Sequence, residues 1–429
     1  MRDQPLDFTI SQLGECHVPS PMSSVQFVDD ADRILFHADL RDLRVFFDQG
    51  REPPTLEKAG PRRQLFFHPA DLACAIVTCG GLCPGLNDVI RAVVLSLHYH
   101  YAVRTVYGLR YGYEGLNPAC GHAPLLLTPD NVEQISGLGG TVLGTSRGDQ
   151  DVRVMVDTLV QLGVSILFAV GGDGTLRGAQ AIAAEVARRG LPIAVVGIPK
   201  TIDNDIAYIQ QSFGFQTAAS EAQKAVEAAH TEAVAARNGI GLVKLMGRDS
   251  GFIAAYTALA DSRVNFCLVP EASFTLDALL AALKSRLAER EHAVIAVAEG
   301  AGQDLVRASL GRDASGNVQY GDVGIFLRDQ IKASFKSAGV EINLKYIDPS
   351  YLIRSVPANT FDSAFCLLLG HNAVHAGMAG RTNLVVGNWR GEFTHVPIAL
   401  AVSQRKKIDP TGWLWNAVLS STGQPNPLT

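Results

Sequence analysis

No run of apolar residues in this 429-residue chain approaches the roughly 18–20 needed to span a bilayer, so no membrane-spanning helix is expected. The first residues, MRDQPLDFTIS, bring an early acid and no hydrophobic stretch, and the last, PNPLT, form no address signal. A surplus of one charge is also missing. Lysine and arginine total 37 against 42 acids, and a net charge of −5 gives no reason to expect nucleic acid or an anionic membrane as partner. Cysteine is sparse and odd in number, seven over the whole chain, which argues for a reducing compartment rather than a disulfide scaffold. Cys79 and Cys83 are spaced Cys-x₃-Cys but no second pair follows, so no zinc site is expected. Internal repeats, low-complexity segments and the GxxxxGK[ST] phosphate loop are absent as well. Together these absences lead us to expect a cytoplasmic globular protein.

What the chain does have is apolar residues (47%) and 41 glycines, over a length that accommodates two domains. From Leu72 onward, short apolar runs recur: LACAIVTC, VSILFAV, PIAVVGI, IGLVKLM, VNFCLV and HAVIAVAE. Each has strand length, and most lack polar alternation, as expected of parallel strands covered on both faces. Helical patterns lie between them. In TLRGAQAIAAEVARRG, Leu176, Ala179, Ile182, Ala183 and Val186 share one face and Gly190 suits a C-cap. Alternating strands and helices predict an α/β fold with mainly parallel sheets. Most of these strands run into a polar or glycine-rich cluster: GGLCPGLN, GGDGTLRG, PKTIDND, GRDSG, PEASF and EGAG. In open α/β sheets, ligands lie beyond the carboxyl ends of the strands.

Two clusters carry explicit chemistry. In VGGDGTLRG, Val170–Gly178, consecutive glycines at a strand-to-helix junction let the backbone approach a phosphate, and the helix start favours its negative charge. Asp173 within that loop would repel a phosphate directly, so a Mg²⁺ between the two is the sensible arrangement; the plainer alternative is a tight turn with Asp173 as helix cap. In PKTIDND, a carboxylate, Asp203, lies close in sequence to a cation, Lys200. Asp203 suits a general base for a hydroxyl, Lys200 neutralises charge on a phosphoryl group in transit, and Thr201 holds a phosphate oxygen or orients Asp203. Asn204 and Asp205 read equally well as an Asx-type turn.

TCGGLCPGLN, GGTVLGTSRG, GGDGT, PKTIDNDI, KLMGRDSGFIA and YIDPSYLIRS, in that order over about Leu72 to Arg390, together resemble the 6-phosphofructokinase family. GGDGT alone is also similar to NAD kinases and lipid kinases; PKTIDND together with MGR points away from them. The resemblance implies two Rossmann-like domains with the active site between them at the strand C-terminal ends, ATP as co-substrate, Mg²⁺, fructose 6-phosphate as acceptor and a homotetramer or homodimer. It implies that Gly81, Arg147, Gly148 and the loop Gly172, Asp173, Gly174 and Thr175 line the donor site, with Asp173 toward Mg²⁺ and Arg110 and Arg177 at its edge. Thr201, Ile202, Asp203, Met246, Gly247, Arg248, Glu299, Tyr351 and Arg354 match positions holding the sugar phosphate, and Asp203 matches the acceptor of the 1-hydroxyl proton. Lys200, Thr201, Asp203 and Arg248 are the implied catalytic set. Lys345 stands where small bacterial members carry an arginine reaching the 6-phosphate from a neighbouring subunit. Their second inter-subunit arginine is replaced by Gly239, and a histidine by Tyr351.

The expected organisation is an extension over 1–70, a donor domain over 71–214 completed by 353–405, and a sugar-phosphate domain over 215–352 completed by 406–429. Members that use pyrophosphate typically have an aspartate in place of Gly174 together with a lysine at position 200, whereas small bacterial ATP enzymes have glycine at both. An aspartate at 174 would crowd an α-phosphate and glycine leaves room for it, so ATP is the expected donor. A reversible pyrophosphate enzyme is the alternative, and a non-catalytic regulatory subunit the more remote one. The tripeptide Arg405-Lys406-Lys407 reads as a solvated helix end, and His98, His100, His371 and His375 as surface or packed helix residues.

Overall fold

The computed structural model describes residues 6–306, 311 and 320–429. The six apolar runs all form strands, because β-branched and aliphatic side chains fit a pleated surface buried on both sides. The chain divides into two units. The first comprises Met1–Thr201, Ile206–Phe213 and Pro357–Gln404; the second comprises Ile202–Asp205, Gly214–Val356 and Arg405–Thr429.

The first unit is built on a nine-stranded sheet. Its centre is parallel: Leu384–Trp389, Ala194–Pro199, Val164–Gly171, Ala73–Thr78 and Thr105–Leu109, in that spatial order. Antiparallel strands flank this centre, Leu125–Leu126 at one edge and Glu392–Pro397, Thr55–Lys58 and Arg33–Leu35 at the other. Helices Leu86–Tyr101, Val152–Gln161, Asp173–Arg188 and Thr360–Met378 belong to the same unit. Helix Asp173–Arg188 buries Leu176, Ala179, Ile182, Ala183 and Val186, the face given by the sequence spacing, and Gly190 follows its C-cap at φ +64°.

Two of the flanking strands come from the first seventy residues, and a buried charge fixes them there. Glu57 on Thr55–Lys58 accepts from Arg381 Nε at 3.0 Å, His395 Nδ1 at 2.9 Å and Arg62 Nη2 at 3.3 Å. Burial alone would raise its pKa; His395 and the two guanidiniums outweigh that and hold it at about 2.

The second unit holds a four-stranded sheet, all parallel, in the order Phe266–Leu268, His292–Ala298, Gly239–Leu245, Asn343–Ile347. Its core includes Ile240, Leu242, Leu283, Ile295, Val297, Leu327 and Ile331, all buried. Among the described residues no helix is long and apolar enough to cross a membrane.

Candidate functional site

In the first unit, three strand ends meet in a cradle made largely of backbone. Strand Val164–Gly171 stops at Gly172, the N-cap of helix Asp173–Arg188. A Cβ on Gly171 would stand 2.1 Å from Thr175 Oγ1, and one on Gly172 would press on the Lys200 carbonyl at 3.3 Å. Lys200 closes the cradle: its backbone N–H donates to the Gly171 carbonyl at 3.0 Å and its Nζ to the Gly81 carbonyl at 2.6 Å. The Gly80 N–H donates to Ser146 O at 3.2 Å, and Thr145 Oγ1 to Gly80 O at 2.6 Å, which brings the loop of Arg147 and Gly148 to the same place. Arg147 and Gly148 are exposed.

The remaining donor-site candidates fall into different roles. A Cβ on Gly174 would meet nothing within 4 Å, so the space beside it is open. Asp173 accepts from Arg177 Nε at 3.0 Å, and Arg177 Nη2 also donates to Val402 O at 2.6 Å, which makes this arginine a brace at the helix start. Arg110 lies over the Tyr111 ring, 5.0 Å from its centroid, and donates to the Tyr111 hydroxyl at 3.0 Å. Thr175 is buried beneath the loop, its carbonyl accepting from Tyr113 Oη at 2.6 Å. No group of three or more His, Cys, Asp or Glu gathers into a metal-binding cluster among the described residues. Mg²⁺ bound mainly by phosphate oxygens and water needs only one or two carboxylates, and Asp173 at a helix start beside an open cradle fits that requirement.

The second unit gathers charged side chains instead. The parallel pairing of Gly239–Leu245 with His292–Ala298 runs past the strand ends: Glu299 N–H donates to Leu245 O at 2.9 Å and Gly300 N–H to Gly247 O at 3.0 Å. That ladder places Met246, Gly247 and Arg248 alongside Glu299. Gly247 sits at φ +129° with its Cβ position 2.7 Å from Ser250 O, so glycine is required there. Burial raises the Glu299 pKa, with Arg248 and Lys244 pulling it back. Arg248 lies over the Tyr320 ring at 5.4 Å, and Arg354 over the Tyr351 ring at 4.8 Å. Tyr351 is 74% exposed, which suits a residue facing a ligand.

Asp203 lies in the four-residue segment Ile202–Asp205, which the chain contributes to this unit between two stretches of the first. Burial, foremost, and the carboxylates of Asp205, Glu299 and Asp249 push its pKa well above the usual range, with Arg405 opposing. Lys345 projects from the edge strand, 46% exposed, with Nζ 3.8 Å from Glu232. At Gly239 the structure explains the missing arginine: a Cβ there would stand 1.9 Å from Ala233 O, so the position is closed to any side chain.

Two features escaped the sequence reading. Lys244 Nζ bridges Asp322 at 2.7 Å and Asp348 at 2.8 Å, tying the turn before Tyr351 to the strand before Met246. The second is a correction: Arg405 and Lys406 do not form a solvated helix end. Arg405 pairs with Asp205 at 2.9 Å and Lys406 Nζ donates to Asn204 Oδ1 at 3.0 Å. A basic tripeptide carries no mark of the distant acids it will meet.

A profile of the phosphofructokinase family matches residues 73–377. The chain is 48% identical to the ATP-dependent 6-phosphofructokinase of Borreliella burgdorferi, covering 99% of this chain and 98% of that one. Against the enzyme of the same name from Amycolatopsis methanolica it is 47% identical over 98% and 95% of the two chains. Among solved structures, the pyrophosphate-dependent phosphofructokinase of Marinobacter aquaeolei superimposes with a TM-score of 0.68 at 19% identity, covering 82% of this chain and 91% of that one; this likeness bears on the fold alone. A glycine cradle ending in Lys200, a carboxylate cluster around Asp203 and Glu299, and near full-length relatives under one name converge: the chain belongs to the phosphofructokinase family.

Proposed function

We propose that the protein transfers the terminal phosphoryl group of ATP to the 1-hydroxyl of fructose 6-phosphate, giving fructose 1,6-bisphosphate and ADP, as an ATP-dependent 6-phosphofructokinase. The observation that carries the reading is one stretch of chain, Lys200–Asp205. It ends the cradle of the first unit with an ammonium and opens the second unit with a carboxylate of raised proton affinity. We assign the first unit to the donor and the second to the sugar phosphate.

In this reading Gly81, Arg147, Gly148 and the Gly172–Thr175 loop receive the donor phosphates through backbone N–H groups and the helix start. Thr201, Ile202, Met246, Gly247, Arg248, Glu299, Tyr351 and Arg354 hold the sugar phosphate, with Lys345 for its 6-phosphate. Asp203 takes the 1-hydroxyl proton as that oxygen bonds to the γ-phosphorus and the bond to the β–γ bridging oxygen breaks; the proton leaves to solvent afterwards. Lys200 and Arg248 offset the charge that spreads over the phosphoryl oxygens. Mg²⁺ at Asp173 supplies further charge neutralisation when bound. We extend the proposal to a cytoplasmic homodimer or homotetramer without nucleic acid or membrane as partner.

The open space at Gly174 supports ATP over pyrophosphate, since it leaves room for an α-phosphate. The test is a turnover assay on fructose 6-phosphate with Mg²⁺, comparing the two donors. Turnover with ATP and little with pyrophosphate is expected. The reverse preference would overturn the donor assignment, and activity with neither would favour a regulatory subunit.

A further inference from the structure

Resting on the reading of Asp203 as general base, we infer that Arg405 and Lys406 are positioning residues for that base, reaching it from the far end of the chain through Asn204 and Asp205.

The segment that carries Asp203, Ile202–Asp205, is four residues long. Asn204 occupies the left-handed region, φ +54°, a conformation asparagine tolerates better than most residues. The stretch Arg405–Ile408 fastens that segment. Lys406 N–H donates to Asp205 O at 2.8 Å, Lys406 Nζ to Asn204 Oδ1 at 3.0 Å, and Arg405 Nη1 to Asp205 Oδ2 at 2.9 Å. The fastening stretch is itself anchored. Ser250 Oγ donates to the Lys406 carbonyl, and the Glu271 carboxylate accepts from Ile408 N–H at 2.9 Å and Gly251 N–H at 3.1 Å. The Lys406 ammonium also lies 5.3 Å from the centre of the Phe252 ring. The residues that follow Asp203 are thus linked through Lys406, by two successive hydrogen bonds, to the turn that follows Arg248.

Arg405 also bears on the charge of the base. Burial first, then Asp205, Glu299 and Asp249, raise the Asp203 pKa, and Arg405 lowers it. Arg405 Nε also stands 4.0 Å from Asp249. Burial brings the Lys406 pKa down to about 7, with Asp205 opposing.

Arg405→Gln, Lys406→Met and Lys406→Arg are compared with the full-length enzyme, with kcat, KM for fructose 6-phosphate and the pH profile of kcat/KM as readouts. Arg405→Gln removes a cation that favours ionised Asp203, so the acid limb is expected to move to higher pH, by about half a unit or more. Lys406→Met is expected to lower kcat about 10–100-fold, as misplacement of a catalytic group by about 1 Å does, while KM changes less than about threefold. Lys406→Arg retains a donor toward Asn204 and is expected to restore most of kcat. An unmoved acid limb in Arg405→Gln, or equal kcat in Lys406→Met with only a lowered melting temperature, would reduce the segment to a structural anchor and overturn the inference. Should Lys406→Met fail to fold, the acid limb of Arg405→Gln decides. Lack of turnover in the unsubstituted enzyme would instead count against the phosphofructokinase reading itself.

Discussion

The two units present charge in opposite ways. The first builds its cradle from glycines and peptide groups, with Gly80, Gly81, Gly171, Gly172 and Gly174 where strands meet helices and Lys200 closing it. The second uses side chains that titrate: Asp203, Glu299, Lys244, Asp348, Arg405 and Lys406 all lie in one hydrogen-bonded or electrostatically coupled neighbourhood. Peptide dipoles suit a polyphosphate, whose charge does not change during binding. A hydroxyl that must lose a proton needs a group able to take it, and that group is made basic by crowding acids into a buried place. In the proposed reading the difference is between fixed dipoles that hold a donor and titrating groups that can also move a proton.

The largest effect should come from the chemical side. Asp203→Asn removes the proposed base, and kcat is expected to fall about 10³-fold or more, with fructose 6-phosphate binding by calorimetry nearly unchanged. The same substitution should stabilise the fold at neutral pH. A carboxylate whose folded pKa is raised binds more protons folded than unfolded between its ordinary value and the raised one, so its ionisation costs stability as pH rises through that window. A higher melting temperature at pH 7.5 with lost activity is the expected pair. A lower one would show that Asp203 is held for structure.

On the other side, Gly174→Asp tests whether the cradle selects the donor by space and charge alone. Apart from its chain neighbours and the nearby backbone of its own helix, nothing lies within 4 Å of its Cβ position, so the substitution should fold normally. A carboxylate about 4 Å from an α-phosphate charge repels it by up to roughly 4 kcal/mol at an effective dielectric of 20. We expect kcat/KM for ATP to drop about 10²-fold while that for pyrophosphate does not fall. An equal loss with both donors would mean that Gly174 is needed for loop shape rather than for the α-phosphate.

How much of this was legible in the sequence follows the same division. Backbone sites are written locally: GGDGT and GGLCPG mark a close backbone approach or a tight turn, because repeated glycine at a strand end serves one or the other. Of the strands, the six mainly apolar ones were readable. Thr105–Leu109, interrupted by a glycine, and Asn343–Ile347, exposed on an edge and alternating, carry weaker patterns. The charged half was legible only where residues adjoin, as in Lys200–Asp205 or Met246–Arg248. Its long-range partners were not: Lys244 meets Asp322 and Asp348, and Arg405 meets Asp205, two hundred residues earlier, and no local pattern encodes such pairs. The same holds for Glu57, whose partners Arg381 and His395 make strands of the first seventy residues part of the large sheet.

The contrast extends to acid stability, and there the expected effect is smallest. In the first unit His375 donates to or accepts from Tyr101 Oη at 2.7 Å, with His100 of the facing helix stacked on it and His371 meeting His100 edge-on. Burial, reinforced by the neighbouring imidazoles, lowers His371 to about 4 and His375 to about 3. Between pH 6.5 and 4.5 the unfolded chain therefore takes up protons that these folded histidines refuse, and each costs the fold up to about 1.4 kcal/mol per pH unit. Asp88, raised by burial, works weakly the other way. In the second unit the carboxylates of Asp203, Glu271 and Glu299, raised foremost by burial, add stability as they protonate on acidification, and His230 is the one histidine there lowered by burial among the described residues. Acidification to about pH 5 should then loosen the first unit before the second. Hydrogen–deuterium exchange, corrected for intrinsic rates, should show peptides from Leu86–Tyr101 and Thr360–Met378 losing protection while those from Phe215–Val234 keep it. His375→Gln, which can still bond Tyr101, should flatten that response. Earlier loss in the second unit would show that its acids are already neutralised by partners other than protons, and that the contrast between the units stops at the site.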